Sequence, residues 1–152
     1  MGAFTKPTIK DLNQILSLYG LGPFKSFEAL GHGISNSNFK VELSDKKILL
    51  KISDDKGEAD ILAEINLLEF LKSQNFPHSI YPLERPSGEV IYHFQNKVGL
   101  IFNFIEGYIP LPNEENCKKI GEALSKLHNL KPRSGLRSYE SVGYGPRKII
   151  QY

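Results

Sequence analysis

The chain has 152 residues, the length of one ordinary domain, and its 40% hydrophobic and 24% charged residues give the composition of a globular protein. Nineteen basic residues against 17 acidic ones leave +2, too little to point to nucleic acid or a membrane surface. The one cysteine, Cys117, excludes an intrachain disulfide and fits a reducing cytoplasm.

The apolar runs fall far short of the ~20 residues that span a bilayer, and Lys6, Pro7, Lys10 and Asp11 stand where a signal peptide needs an apolar core. Neither a membrane span nor a leader is expected. In chain order, Thr8 with Asp11 resembles a capping box, and Ile9, Leu12, Ile15, Leu16 and Tyr19 keep helical spacing until Gly20. Extended patterns follow over 24–30 and 38–43, where Phe39, Val41 and Leu43 alternate with Lys40 and Glu42. Ser44, Asp45 and Lys46 form a polar turn into a third strand over 47–52, so the three strands read as an antiparallel meander. SDDKGEAD leads into a helix over 58–73 that Asn75 and Pro77 end. Strands are expected over 89–94 and 98–104, and EGYIPLP then breaks the pattern. Asn113 caps a last helix whose Cys117, Ile120, Leu124, Leu127 and His128 share one stripe. From Lys131 onward five basic residues meet only Glu140, and the glycines and prolines after Pro132 predict a poorly ordered tail.

Two charges stand where apolar residues belong. Lys51 lies between Leu50 and Ile52 on the third strand. On the 58–73 helix, Ile65, Leu68 and Leu71 fall about 40°, 340° and 280° round from Ile61, and Glu64 falls at about 300°, inside the stripe. An unpaired buried charge costs several kcal/mol, so the two side chains are expected to meet. A strand lysine alone more often snorkels to water at an edge, and a glutamate at a stripe margin is more often solvated. Together they match the Lys and Glu with which kinases hold the α and β phosphates of ATP. The Gly-rich turn GHGISNS, placed between two strands, offers backbone N–H groups to phosphate oxygens, although GxG by itself is a weak signal. VGLIFNFIEGYIPLP reads as a buried strand opening into a loop, which is equally a kinase hinge or a core strand with a loop after it.

With these elements in order, residues 8–130 resemble the amino-terminal part of the aminoglycoside phosphotransferase and choline kinase superfamily, the homoserine kinase branch in particular. The resemblance is carried by GISNSNF (33–39), ILLKI with Lys51, the helix bearing Glu64, LIFNFIEG (100–107) and GEALSKLHNL (121–130). It implies an α+β fold: a protein-kinase-like N-terminal lobe of five antiparallel strands with one packed helix, together with the N-terminal entry helix, over 1–104, then a hinge and the first helix of the second lobe over 105–131, then a tail over 132–152. It also implies ATP as the bound nucleotide, with Gly33, Ser35 and Asn36 near its phosphates and Lys51 on the α and β phosphates. Glu64 would orient Lys51, and the backbone at Asn103 and Ile105 would meet adenine. His128 would be a packing residue.

The family's catalytic loop, H-x-D-x-x-x-x-N, does not occur, because no aspartate follows Asp60. No catalytic residue and no magnesium ligand is therefore expected in this chain, although the family uses magnesium. The sequence reads as the nucleotide-binding portion of a small-molecule kinase that phosphorylates an alcohol, homoserine or a related amino alcohol, and as inactive alone. The alternative is a stand-alone nucleotide- or protein-binding module. An uncovered apolar stripe on the 114–130 helix is expected as well, with self-association through it as a consequence.

Overall fold

The computed structural model describes residues 5–31 and 36–137. Helix α1 (Ile9–Leu18) begins on a capping box, in which the Thr8 hydroxyl accepts from the Asp11 N–H at 3.2 Å and Asp11 accepts from the Thr8 N–H at 2.8 Å. Hydrogen bonds from the Thr8 hydroxyl and then its N–H hold the Asp11 carboxyl below its ordinary range. The helix ends where Gly20 takes φ +64°, with Leu21 N–H donating to the Leu16 carbonyl and Gly20 N–H to that of Ser17. This is a Schellman stop, which needs a residue tolerant of positive φ.

Five strands follow: β1 (Ser26–Ala29), β2 (Asn36–Glu42), β3 (Lys47–Ser53), β4 (Ile91–Phe94) and β5 (Lys97–Asn103). They form one antiparallel sheet in the order β1-β2-β3-β5-β4, with helix α2 (Glu58–Ser73) crossing between β3 and β4. The meander of the first three strands is as the alternation predicts. A second Schellman stop closes α2: Asn75 has φ 52°, and Phe76 N–H donates to the Leu71 carbonyl.

Alternation divides the sheet into two faces. Phe39, Val41, Ile48, Leu50, Ile52, Tyr92 and Ile101 are buried with Leu12, Ile15, Leu16 and Tyr19 of α1. On the opposite face Val98, Leu100 and Phe102 are buried with Ile61 and Ile65 of α2. The sheet thus carries a helix on each face, α2 on one and the expected entry helix α1 on the other. The reason is the apolar stripe of α1, which has no other surface against which to bury.

Helix α3 (Glu114–His128) starts on Asn113, whose side-chain oxygen accepts from the Asn116 N–H at 2.9 Å. None of its residues is buried: Ile120 is 54% exposed and Leu124 48%, and Cys117 and His128 are exposed with them. The apolar stripe is uncovered as expected, and His128, expected as a packing residue, is exposed with it. After α3 the chain turns back over α2. Leu130 and Leu136 pack on a cluster of Phe70, Leu71 and Phe76, Arg133 donates to Asn66, and Arg137 pairs with Asp60. Residues 132–137 of the expected loose tail are therefore docked on α2; the rest of that tail lies outside the described residues.

Candidate functional site

Lys51 and its neighbours are sorted by the strand period. Leu50 and Ile52 point into the α1 core at 0% exposure, so Lys51 must point to the other face, where its side chain is 15% exposed. Glu64 comes down from α2 onto the same spot. Lys51 Nζ donates to Glu64 Oε1 at 2.7 Å, within the range of a charge-assisted hydrogen bond. The pairing expected from two misplaced charges is present, and each charge answers the desolvation of the other.

The second carboxylate oxygen, Oε2, is buried without a hydrogen-bond partner, and Lys56 Nζ stands 3.7 Å from it. These groups line a cleft of about 340 Å³ together with Asp60, Leu67, Leu136 and Arg137.

Register places two asparagines beside the pair. Asn38 lies opposite Lys51, and Asn36 lies opposite Ser53 on the same face. The Asn36 side-chain oxygen is a buried acceptor that is unsatisfied among the described residues. Gly33 and Ser35 lie outside the described residues. Asn103 ends β5, and Phe104 N–H donates to the Lys47 carbonyl at 3.1 Å. Alternation then turns the Asn103 backbone away from β3. Ile105 follows at 67% exposure. Neither residue touches the Lys51–Glu64 pair; they stand at the far end of β5.

Three features were missed in the sequence. The first supports Lys51 from behind: Tyr92, 0% exposed, donates its hydroxyl to the Lys51 carbonyl at 3.0 Å. Its ring reaches across β5 only because residue 99 is glycine; a Cβ there would lie 2.1 Å from Tyr92 Cζ. Burial, then the neighbouring Tyr19, push the Tyr92 phenol well above 10.0, so it remains a donor. A glycine inside the apolar run VGLIF was the available signal. The second is Asp54, just past β3. It accepts from Thr5 and Ser37 hydroxyls at 2.6 Å each and from Lys97 Nζ at 2.7 Å. Burial pushes its carboxyl up, but the hydrogen bonds from Lys97, Ser37 and Thr5 outweigh it, and the group sits below its ordinary 3.8. The third is Lys56. Among the described residues no group of three His, Cys, Asp or Glu side chains could hold a metal ion, and no helix is long and apolar enough to cross a membrane.

The model of the phosphotransferase enzyme family, APH, matches residues 26–148. The chain belongs to that family. Among curated proteins, a homoserine kinase of Rhizobium rhizogenes is 28% identical over 130 residues, 84% of this chain and 40% of the relative. A homoserine kinase of Phenylobacterium zucineum is 26% identical over 147 residues, 95% of this chain and 45% of the relative. This chain therefore spans less than half the length of those relatives. Among solved structures, spectinomycin phosphotransferase in complex with ADP and spectinomycin superposes with a TM-score of 0.70 at 14% identity, covering 93% of this chain and 45% of that one. A microcompartment-associated aminopropanol kinase gives 0.66 at 15% identity, covering 87% and 44%. At those identities the likeness is one of fold, and it bears out the kinase-like N-terminal lobe.

Proposed function

We propose that this chain is the nucleotide-holding portion of an ATP-dependent kinase that transfers the γ phosphate to the hydroxyl of a small amino alcohol, homoserine first among the candidates. The observation that carries the reading is the 2.7 Å contact between Lys51 and Glu64 on the half-open face of the sheet. In this arrangement Glu64 fixes the ammonium, and Lys51 spends its remaining donors on the α and β phosphates. The backbone at Gly33 and the side chains of Ser35 and Asn36 would close over the phosphates, Asn36 through its amide N–H groups. The backbone at Asn103 and Ile105 would read adenine. The homoserine kinases among the relatives support the choice of acceptor.

Chemistry needs a base for the hydroxyl proton and carboxylates for magnesium. Without an H-x-D-x-x-x-x-N sequence, residues 1–152 should hold ATP in the cytoplasm without using it. The test is calorimetric titration with ATP: Lys51→Met should abolish binding while the thermal midpoint stays, because Met fills the space of the lysine stem. Unchanged affinity would sink the assignment, and turnover of homoserine by the chain alone would sink the expected inactivity.

A second reading, a binding module without chemistry, is favoured by the uncovered Ile120, Leu124 and Leu127. It expects α3 to self-associate or take a protein partner. A monomer by sedimentation at high concentration speaks against the first of these.

A further inference from the structure

Lys56 has no part in the reading above, and three observations converge on it. Its backbone is fixed: the N–H donates to Ser53 Oγ and the carbonyl accepts from the same hydroxyl, both at 3.3 Å, and Ser53 is only 2% exposed. The side chain, 48% exposed, swings from that anchored point at the mouth of the cleft.

The ammonium is also uncommitted in geometry. At 3.7 Å from Glu64 Oε2 it is an ion-pair neighbour beyond hydrogen-bond distance, and that oxygen has no hydrogen bond of its own. By contrast Lys51 holds Oε1 at 2.7 Å. One carboxylate thus faces two ammonium groups.

The local charges complete the case. Of the carboxylates nearby, Asp60 is paired with Arg137, Asp54 with Lys97, and Glu58 lies 3.9 Å from His93. Among the described residues that line the cleft, Glu64 alone remains to answer Lys51 and Lys56, so the lining carries three cations against two carboxylates next to the lysine that faces the nucleotide. A polyphosphate supplies what that excess lacks.

We infer that Lys56 is a second phosphate-binding cation of this site, reaching the nucleoside triphosphate beside Lys51; the inference rests on the nucleotide reading above. Lys51 is held in place by Glu64, whereas Lys56 leaves Glu64 and moves onto the phosphate oxygens as ligand binds. Its share of the binding grows with the number of phosphates.

The experiment is titration of the 152-residue chain with ATP and with AMP, each with magnesium, for the unaltered protein, Lys56→Gln, Lys56→Arg and Lys51→Met. Lys56→Gln should weaken ATP binding about tenfold, the effect of losing one charge-assisted contact. AMP should weaken much less, Lys56→Arg should restore most of the ATP affinity, and the dependence of affinity on salt should flatten in Lys56→Gln. The thermal midpoint without nucleotide should stay where it was, because the Ser53 hydrogen bonds involve only the backbone of residue 56. Unchanged ATP affinity in Lys56→Gln, or an equal loss for ATP and AMP, overturns the inference. If Lys51→Met also leaves ATP binding intact, or if the unaltered chain binds no nucleotide, the nucleotide reading falls and this inference with it.

Discussion

The two faces of the sheet are made by alternate residues of the same strands, yet they have opposite characters. On the α1 face Val41, Ile48, Leu50 and Ile52 are all 0% exposed. On the other face Asn38, Lys40, Glu42, Leu49 and Lys51 are half-buried, because α2 packs over β5 and leaves β2 and much of β3 uncovered. The closed face keeps the strands together, and the open face displays polar groups from a backbone that cannot move. That division explains how a lysine can be held in place without being lost to the core.

The strongest way to break the division is to force the closed face against the open one. Gly99 is where they are thinnest: a Cβ would lie 2.1 Å from Tyr92 Cζ and 2.6 Å from the Lys51 carbonyl oxygen. The ring could retreat only by disturbing the packed core, and the carbonyl only by moving β3. Gly99→Ala should therefore cost more than about 3 kcal/mol, at the upper end of overpacking effects, measured by urea unfolding. Adding Tyr92→Ala should recover part of the loss, since it removes the closer of the two clashes.

A gentler comparison uses neighbours across one strand pair. Leu50→Ala on the closed face should cost about 2–5 kcal/mol, the range for a large-to-small change in a core that cannot collapse. Asn38→Ala, opposite Lys51 on the open face, should stay within about 0.5 kcal/mol. Urea midpoints at equal slope would show the contrast, and equal costs would mean that the open face is covered in solution.

The same division sets what could be read from the sequence. The alternation of Phe39, Val41 and Leu43 with Lys40 and Glu42 gave strand and face together, and Gly20 and Asn75 marked helix ends because both adopt positive φ there. Lys51 and Glu64 were legible because each violated the local apolar pattern, and one contact relieves both. Lys56 was not, since it sits in a polar turn where a lysine is unremarkable and only the position of Glu64 Oε2 gives it meaning. Tyr92 and Asp54 depend on contacts 41 and 49 residues apart in sequence, to Lys51 and Thr5, which no local pattern encodes. The docking of 132–137 escaped for another reason: its glycine and proline content signals irregular backbone, and irregular backbone can still be packed.

Asp54 is the point at which the closed face admits a charge, and it gives the most discriminating test of how dry that face is. Its side chain is 12% exposed and ties Thr5, Ser37 and Lys97 to the end of β3, close to where Lys51 leaves the strand. Asp54→Asn removes the negative charge from a site built of donors, and the cost at neutral pH should be about 2 kcal/mol, that of hydrogen bonds to a charged group. The pH dependence separates this from a packing defect. Because the folded carboxyl sits below 3.8, the unfolded chain binds the proton more readily, so stability rises with pH across that interval. The contribution of Asp54 is complete above 3.8 and is lost as pH falls through the lower folded value. Unfolding midpoints of the two proteins should therefore differ at neutral pH and converge in acid below that interval. A gap that persists into acid would mean that Asp54 acts through shape, and that the polar network on the closed face is held by Ser37 and Thr5 without it.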